Sequence, residues 1–452
     1  MNARKKVIII GAAGTDFHYF NTVFRDNENY EVVAFTAQQI PGIEGRVYPP
    51  QLAGKLYPKG IPIRARAELQ ELIKKHGADE CVHAYSDVTY AEVMHNSAEC
   101  MSCGADFRLI GPKHSMLESS KPVIAVCAVR TGSGKSQTSR KIVELLKKRG
   151  VRCVAIRHPM PYADLVKKRW ERYEKYSDLE KYDCTIEERE EYEPYIERGL
   201  VIFSGVDYAE ILEHAEKEAD VILWDGGNND LSYYRPQGKG KPDLYITVAD
   251  PFRAGHELAY FPGEVNARIA DVVIINKVNT APKEGVATVE RNIRAINPNA
   301  KIIMANSTIT LDKPELVKGK RVLVVEDGPT LTHGELEHGA GYFAAKDAGA
   351  AELIDATPFA VGSIKETLKK FPRKEILPAM GYSAQQIKEL EETINASNAD
   401  VVVSGTPIDL SRVLKAKKPL VRANYELEEI GELTLEKALD EFLEKHGLGK
   451  AR

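Results

Sequence analysis

The chain has 452 residues, of which 43% are hydrophobic and 28% are charged, and its formal net charge is -4. This length exceeds one ordinary core and predicts two or three compact units rather than a disordered chain. The slightly acidic balance argues against broad nucleic-acid binding, and no apolar run approaches the ~18 residues that would cross a bilayer. We therefore expect a cytoplasmic protein with neither nucleic acid nor a membrane as its partner.

The N-terminal region begins with an apolar strand pattern, which is followed by a glycine turn and the start of a helix. This pattern predicts a small Rossmann-like domain over residues 1–120, which ends near a Gly-Pro turn and a polar stretch. The turn lacks the full dinucleotide fingerprint, so a phosphate or carboxylate at the helix start is the favoured ligand. The candidate substrate-binding residues of this domain are Gly11, Gly14, Asp16, His18 and Arg46.

Short runs rich in Val and Ile alternate with helical patterns along residues 121–452. Continuous apolar strands between helices indicate parallel sheets that are covered on both faces. The predicted fold class is therefore α/β, with the Rossmann-like domain followed by a larger, doubly wound domain.

A glycine-rich turn follows the apolar strand of residues 123–126 and precedes a helical pattern, as in a phosphate-binding loop (P-loop). Glycines let backbone N–H groups turn onto phosphate oxygens, while Lys135 would lie on the β- and γ-phosphates and Ser136 on magnesium. An ordinary glycine-rich turn is the alternative, since the strict pattern wants a glycine at Val129. The candidate nucleotide-binding residues here are Thr131, Gly132, Ser133, Gly134, Lys135, Ser136 and Gln137.

Arg130 stands five residues before Lys135, where one class of dimeric P-loop ATPases carries a second lysine. Both residues are candidate catalytic residues. Across the two-fold axis of a homodimer, Arg130 could act as an arginine finger on the partner's nucleotide. Pairing with a carboxylate of its own subunit is the alternative.

Between residues 162 and 199 the sequence is dense in charged and aromatic residues and poor in strand formers. This composition predicts an inserted helical arm. The arm is either a solvated helix pair with ion pairs on its surface or a lid or dimer contact, because aromatic residues are enriched at interfaces.

A second apolar strand ends in Asp225 and is followed by a glycine pair and by Asp230. An aspartate at the carboxyl end of a parallel strand beside a P-loop can hold magnesium through water. Asp225 is therefore predicted to bind the metal together with Ser136. Both aspartates are catalytic candidates, and Asp230 would position a water or a substrate hydroxyl. A polar turn that only ends the strand is the alternative.

The strand of residues 272–275 leads into Asn276, Lys277 and Asn279, which resemble the NKxD base-reading turn of GTPases with asparagine in the place of aspartate. A carboxylate accepts two hydrogen bonds from guanine, whereas Asn279 offers one acceptor and one donor. The preference for guanine should therefore weaken, and ATP is at least as good a candidate as GTP. A later turn with Ser404 and Thr406 is predicted to lie on the base side as well.

Three further polar turns follow predicted strands, at the position where open α/β sheets bind ligands. A phosphorylated substrate could bind there, and a structural role is the alternative for each side chain. The candidate residues are Arg157, His158, Arg253, His256 and His333.

Four segments carry a family resemblance: RTGSGKS (residues 130–136), WDGGNND (224–230), DPFRAGHE (250–257) and INKVN (275–279). With them the whole chain resembles the cyclic 2,3-diphosphoglycerate synthetase-like P-loop NTPases, a family of predicted GTPases. The resemblance implies a homodimer, magnesium and a nucleotide that drives closure of 2,3-diphosphoglycerate into a cyclic anhydride. The N-terminal turn and the P-loop depart from those of the methanogen synthetases, so the chain looks like a sister branch.

The leading hypothesis is therefore an ATP- or GTP-dependent ligase that activates a small phosphorylated substrate and forms, in one version, an intramolecular phosphoanhydride. The alternative is a regulatory or maturation GTPase that acts on a protein partner. Stimulation of hydrolysis by small phosphorylated acids would favour the first hypothesis, and stimulation only by a protein would favour the second.

Overall fold

A computed structural model describes residues 3–12, 14–38, 43, 45–158, 164–327, 338–370, 372, 375–379 and 383–449. His333 and the first two residues of the predicted arm, 162 and 163, lie outside the described residues.

The first unit is a six-stranded sheet with helices on both faces. Its sheet order is β3-β4-β2-β1-β5-β7, parallel except for β3, and its central strand β1 is almost wholly buried. The strands of this region are β1 (Lys5–Ile10), β2 (Tyr30–Ala37), β3 (Val47–Tyr48), β4 (Ile61–Ala65), β5 (Glu80–His83), β6 (Val88–Thr89), β7 (Asp106–Leu109) and β8 (Leu117–Ser119). The helices are α1 (Thr15–Tyr19), continued by a π-turn (Phe20–Phe24), α2 (Pro50–Ala53), α3 (Leu69–His76), α4 (Tyr90–Ser102) and α5 (Pro112–Ser115).

The second region contains the larger sheet and two short strands, β14 and β16, that pair outside it. Its strands are β9 (Val123–Ala128), β10 (Cys153–Arg157), β11 (Glu171–Tyr173), β12 (Val201–Ser204), β13 (Val221–Asp225), β14 (Tyr234–Pro236), β15 (Leu244–Ala249), β16 (Tyr260–Phe261), β17 (Val272–Ile275), β18 (Lys301–Leu311), β19 (Arg321–Asp327), β20 (Glu352–Leu353), β21 (Leu377–Ala379), β22 (Val401–Ser404) and β23 (Leu420–Ile430). Its helices are α6 (Lys135–Lys148), α7 (Tyr176–Lys181), α8 (Ile186–Glu197), α9 (Tyr208–Glu216), α10 (Gly263–Ile269), α11 (Lys283–Ile296), α12 (Ala340–Asp347), α13 (Gly362–Lys370), α14 (Ala384–Ala396) and α15 (Leu435–His446). Short 3₁₀ turns cover Arg66–Glu68, Pro251–Arg253, His256–Leu258, Pro314–Leu316, Thr357–Phe359 and Leu410–Arg412.

The larger sheet has the order β11-β12-β10-β13-β9-β15-β17-β18-β23-β22-β19-β20, and β21 pairs with β19. Strands from β12 to β18 are parallel, and helices cover both faces because these strands are apolar on both sides. The predicted α/β fold class is confirmed. The long strand β18 then pairs antiparallel with β23, so the C-terminal strands β22 and β19 run in the opposite direction.

The predicted arm contains β11, α7 and α8. Strand β11 pairs antiparallel with β12, so the arm adds an edge strand that its composition did not predict. Helix α8 is largely buried, unlike a solvated helix pair. Its Tyr192, Tyr195 and Ile196 belong to the core that covers β9, while Ile186 belongs to the core of the C-terminal strands. Its role as a lid or dimer contact stays a prediction.

Helix α8 also makes polar contacts with the C-terminal strands. Glu193 Oε1 accepts a hydrogen bond from the backbone N–H of Asp409 at 3.0 Å. Glu197 pairs with Arg422 at 3.0 Å. One helix therefore contacts two parts of the larger sheet.

Two short strand pairs join the first unit to the second region. Strand β6 pairs antiparallel with β16, and β8 pairs in parallel with β14. The loop between β5 and β6 is thereby held against the P-loop. Among the described residues, no helix has the length and apolarity needed to cross a membrane.

Candidate active site

The P-loop connects β9 to α6, and two of its glycines adopt a backbone that other residues rarely adopt. Gly132 has a φ of 76° and Gly134 a φ of 109°. A Cβ atom disfavours this region, and on Gly134 it would also collide with the side-chain amide of Asn276. The path of the loop therefore requires both glycines.

Three successive carbonyl groups of the P-loop accept hydrogen bonds from side chains outside it. The donors and acceptors are Arg253 Nη2 to Thr131 (2.7 Å), Lys277 Nζ to Gly132 (2.7 Å) and Asn276 Nδ2 to Ser133 (3.0 Å). The carbonyl groups are thereby directed outward. The Thr131 N–H donates to Asp87 Oδ1 at 3.4 Å and the Ser133 N–H to the Arg130 carbonyl at 3.4 Å, which leaves the other N–H groups of the loop for phosphate oxygens. Asn276, Lys277 and Arg253 thus contact the backbone of the loop, whereas the sequence suggested direct contacts with ligands.

Asp250, at the end of β15, holds two of these donors. Its Oδ2 lies 2.9 Å from Lys277 Nζ and 2.9 Å from Arg253 Nη2. Burial alone would raise the pKa of Asp250, but the charges of Lys277 and Arg253 lower it below its usual value. Asp250 is therefore ionised and fixes the two cations against the loop.

Lys135 is buried at the start of α6. Its Nζ donates to Asp225 Oδ1 at 3.1 Å and to the carbonyl of Gly226. Burial lowers the pKa of Lys135, the charge of Arg157 lowers it further, and Asp225 opposes both effects. The predicted P-loop lysine and the predicted metal ligand are thus direct neighbours.

Asp225 accepts hydrogen bonds from further donors besides Lys135. They are Ser139 Oγ at 2.9 Å and Tyr195 Oη at 2.8 Å, while Arg157 Nη1 forms an ion pair with Asp225 Oδ2 at 3.1 Å and donates to the Asp225 backbone carbonyl at 3.3 Å. Burial would raise the pKa of Asp225, but the charges of Lys135 and Arg157 outweigh it and lower the pKa. Arg157 therefore neutralises the charge of Asp225, and it also pairs with Glu191. Direct contact of Arg157 with a phosphorylated substrate stays a prediction.

Arg130 lies buried among residues of its own chain. Its Nε donates to Asp87 Oδ1 at 2.8 Å, and its Nη1 lies 2.6 Å from His256 Nδ1. Its guanidinium carbon lies 3.6 Å from the ring centre of Tyr260. This geometry is that of the in-chain alternative, in which Arg130 pairs with a carboxylate of its own subunit. His256 accordingly contacts Arg130.

Asp230 lies between the P-loop region and the N-terminal glycine turn. Its Oδ1 accepts a hydrogen bond from Thr15 Oγ1 at 3.4 Å, and Thr15 is also 2.7 Å from Tyr233 Oη. Burial raises the pKa of Asp230 to about 6, and the hydroxyl of Ser86 opposes this shift. The first unit therefore supplies hydroxyl groups directly to a catalytic candidate.

The glycine turn before α1 faces His158. A Cβ on Gly14 would collide with the imidazole of His158, and a Cβ on Gly227 would lie 3.0 Å from its Nδ1. Burial lowers the pKa of His158 to about 4, with Arg157 as the next cause, so the ring is neutral at pH 7. Two predicted substrate-binding residues from separate units thus meet.

Asp16 and His18 are buried beside this turn. Asp16 Oδ1 accepts hydrogen bonds from the backbone of Gly14 at 3.1 Å and of Phe17 at 2.7 Å, and a Cβ on Gly11 would meet its carboxylate. Asp16 therefore stabilises the turn.

His18 stacks on Tyr233 with 3.8 Å between the ring centres. Burial lowers the pKa of His18 to about 3, so its ring is also neutral at pH 7. Both aromatic rings are buried, so they contribute apolar surface to the boundary between the two units.

Asn279 and Gln137 contact Ser307 of β18. Asn279 Oδ1 accepts from the Ser307 N–H at 3.2 Å, and Asn279 Nδ2 lies 3.5 Å from its carbonyl oxygen. Gln137 Nε2 donates to Ser307 Oγ at 3.3 Å. Because both polar atoms of the Asn279 amide face one peptide group, this side chain is poorly placed to read guanine.

Three predicted site residues are not brought to the P-loop. Ser404 ends β22 and Thr406 follows it, and both are buried. Strand β22 is five positions from β9 in the sheet and thus about 24 Å away at ~4.8 Å per strand. Arg46 precedes the edge strand β3, three positions from β1. The reversal of direction after β18 could not be read from strand patterns alone, because register and order depend on distant pairing.

The oxygen atoms of Ser136 and Asp225 fit magnesium, which prefers oxygen ligands and binds through one or two carboxylates plus phosphates. Groups of three or more His, Cys, Asp or Glu residues that could hold a metal are absent from the described residues. Magnesium would therefore take its remaining ligands from the nucleotide phosphates and from water.

Sequence reasoning missed several residues of this site. Asp87, Glu191, Tyr195 and Asp250 come from loops or helices that are distant in sequence from their partners. Asp250 alone carried a signal, because it directly follows an apolar strand in the segment that the family resemblance includes.

Comparisons with known proteins find a relative that matches nearly the whole chain. The arginine synthetase ArcE of Thermococcus kodakarensis is 62% identical over 440 residues, which cover 97% of each chain. A cyclic 2,3-diphosphoglycerate synthetase of Thermococcus sibiricus is 27% identical over 136 residues, or 29% of each chain. The predicted family resemblance is therefore confirmed. No protein-family model matches the chain.

Among solved structures, LpxK from Aquifex aeolicus in complex with ATP aligns with a TM-score of 0.41 and 13% identity, covering 72% of this chain and 90% of that one. The hydrogenase maturation factor HypB from Archaeoglobus fulgidus aligns with a TM-score of 0.26 and 17% identity, covering 41% of this chain and 81% of that one.

We predict that Asp250→Asn weakens nucleotide binding about tenfold, or ~1.4 kcal/mol, because neutral asparagine no longer holds two cations against the P-loop. Titration calorimetry with a non-hydrolysable ATP analogue measures this effect. Glu290→Gln, which removes a partly exposed carboxylate paired with Arg294 on α11, is the matched control and should bind normally. If Asp250→Asn and the control bound the nucleotide with equal affinity, Asp250 would not be needed to hold the two cations against the P-loop.

We predict that Asp230→Asn stabilises the protein at high pH. The folded-state pKa of about 6 exceeds the unfolded value of 3.8, so the stability that Asp230 contributes is present below pH 4 and is lost as the pH rises through 6. At pH 8 the variant should be more stable than the wild type by up to about 3 kcal/mol, given 1.36 kcal/mol per pKa unit. Denaturant unfolding at pH 4 and pH 8 measures this, and a pH-independent difference would contradict it.

Proposed function

The chain belongs to the family of the arginine synthetase ArcE and is an ATP-using P-loop enzyme of the synthetase type; on this premise we propose that it forms arginine from a ureido amino acid and ammonia at the expense of ATP. The observation that carries the proposal is 62% identity over 97% of both chains. The P-loop and Asp225 lie within that span.

The proposed reaction has two balanced steps. The ureido oxygen attacks the γ-phosphorus of ATP, an O–P bond forms, and ADP leaves. The lone pair of ammonia then attacks the ureido carbon, the C–O bond breaks, and phosphate leaves with the bonding electrons. Loss of a proton from the added nitrogen gives the guanidino group, which is protonated at neutral pH. The products are arginine, ADP and phosphate.

In the first step the P-loop would bind the triphosphate through its N–H groups. Lys135 would exchange its contact with Asp225 for the β- and γ-phosphates and stabilise the charge of the transferring phosphoryl group. Ser136 and Asp225 would hold magnesium, which neutralises phosphate charge when bound. Arg157 would then keep Asp225 ionised while Lys135 contacts the phosphates.

The N-terminal turn would hold the second substrate. Thr15 Oγ1 donates to Asp230, and His158 lies against both Gly14 and Gly227. Gly227 also lies beside the Asp230 carboxylate and follows Gly226, whose carbonyl contacts Lys135. An acceptor bound there would lie close to the P-loop lysine and hence to the phosphate that it receives, and an in-line transfer requires this proximity.

A second candidate is a ligase that activates a small phosphorylated acid or closes it into a cyclic anhydride. The observation in its favour is the partial relative named cyclic 2,3-diphosphoglycerate synthetase. Arg157 and Arg253 would then serve the substrate phosphates, as the sequence suggested.

One experiment separates these functions. The purified full chain is supplied with magnesium and ATP, and then either with citrulline and ammonium or with 2,3-diphosphoglycerate. Phosphorus NMR reports ADP, phosphate and any new anhydride signal, and amino-acid chromatography reports arginine. Arginine with equal amounts of ADP and phosphate supports our proposal. An anhydride signal supports the second candidate, and turnover only with an added protein supports a regulatory GTPase.

We predict that Lys135→Ala lowers arginine formation by 10²-fold or more, on the order of the loss of one transition-state charge contact. Lys148→Ala, an exposed lysine on the same helix, is the matched control and should keep full activity. Circular dichroism checks that both variants are folded. A folded Lys135→Ala enzyme with near-normal turnover would remove the P-loop from the reaction.

We predict that ATP competes with GTP at least equally, because the amide of Asn279 faces the Ser307 peptide group. Initial rates with both nucleotides at equal concentration measure the preference. A GTP preference approaching ~10⁴-fold, as a fully matched hydrogen-bonding site can reach, would show that another residue reads guanine.

A further inference from the structure

The aspartates around the P-loop differ in their partners. Asp87 pairs with Arg130 at 2.8 Å. Asp225 and Asp250 each have two cations as direct partners, at distances of 2.9–3.1 Å. In each of these three cases the protein itself supplies the positive charge.

Asp230 is the exception among these four residues. It is 4% exposed, and its side-chain partners are the hydroxyl groups of Thr15 and Ser86. Among the described residues no Lys, Arg or His nitrogen lies within 4.0 Å of its carboxylate. Lys135 and Arg157 act on it only at longer range, because both are engaged with Asp225.

An ionised carboxylate without a direct cation is costly at such a buried position, and buried charges in proteins are normally paired. Accordingly, burial raises the pKa of Asp230 to about 6. At pH 7 the group is still mostly ionised, so a cationic ligand would gain a strong, poorly screened interaction.

Asp230 lies close to the P-loop lysine, where the reacting end of a second substrate would have to be. A Cβ on Gly227 would lie 3.2 Å from Asp230 Oδ2 and 3.0 Å from His158 Nδ1. The neighbouring Gly226 carbonyl contacts Lys135. The Asp230 carboxylate thus lies beside Gly227, which directly follows the residue whose carbonyl the P-loop lysine touches.

We propose that Asp230 binds the guanidinium group of arginine, and in the direction of synthesis the ammonium ion, which gives one proton to this carboxylate before the lone pair of its nitrogen attacks the ureido carbon. This inference rests on the proposed function and adds to it the residue that recognises the cation. A carboxylate is the natural partner of a guanidinium, because two oxygen atoms match two parallel N–H groups.

Other charged or titratable groups face Asp230 from the elements around it. His158 and His18 have pKa values of about 4 and 3, so both stay neutral between pH 6 and pH 8. Tyr19, Tyr208 and Tyr233 also stay neutral, because burial raises the pKa of each. The remaining groups are Cys127, Asp16, Lys135 and Arg157.

The test is the number of protons released when arginine binds. A bound guanidinium lowers the pKa of Asp230, so at pH 6 about half a proton per arginine should be released, and at pH 8 almost none. Calorimetric titration of arginine into the full chain with magnesium and ADP, in buffers of different ionisation enthalpy, measures this number. The readout needs no turnover.

Asp230→Asn should abolish the proton release at pH 6 and weaken arginine binding tenfold or more. Glu171→Gln is the matched control, because Glu171 is another buried carboxylate whose pKa burial raises, but it pairs with Lys168 outside the site. This control should release protons as the wild type does.

The outcomes separate the two proposals. Arginine binding without proton release at pH 6 in the wild type would overturn the role of Asp230 and leave arginine formation standing. Absence of arginine binding, together with absence of arginine formation, would overturn both. Equal release on addition of magnesium alone would show that Asp230 binds the metal instead. If Asp230→Asn does not fold, the wild-type comparison at the two pH values still decides.

Discussion

The site depends on one buried ion cluster, in which Asp250 holds Lys277 and Arg253 against the P-loop. A loop of small residues has little packing of its own, so its shape must be imposed from outside. Together with Asn276, the two cations direct consecutive carbonyl groups away from the phosphates. The anion-binding character of the loop therefore depends on charged residues that come directly after β15 and β17, two strands later in the sequence.

The P-loop, its lysine and Asp225 were predictable because their signals are local: a strand, a glycine turn and a helix in direct succession. The α/β class was predictable for the same reason. The roles of Lys277 and Arg253 were not, since the same residues at the end of a strand can contact a ligand or a neighbouring loop. Only the packed structure distinguishes the two.

Long-range pairing sets the remaining limits of prediction. Ser404 ends a strand and Thr406 follows it, just as Asp225 ends β13, yet the antiparallel pairing of β18 with β23 puts both residues far from the P-loop. Asp87 reaches Arg130 because β6 adds to β16, a pairing between two-residue strands that no periodicity signals. Each case depends on a contact between segments more than a hundred residues apart.

Helix α8 has a consequence for the modularity of the chain. Its tyrosines lie in the core that covers β9, its first residue lies in the core of the C-terminal strands, and Tyr195 donates to Asp225. A truncation before β19 would expose one end of this helix and leave Glu193 and Glu197 without Asp409 and Arg422. The C-terminal strands are therefore part of the support of the nucleotide site, and they could be exchanged between relatives only together with α8.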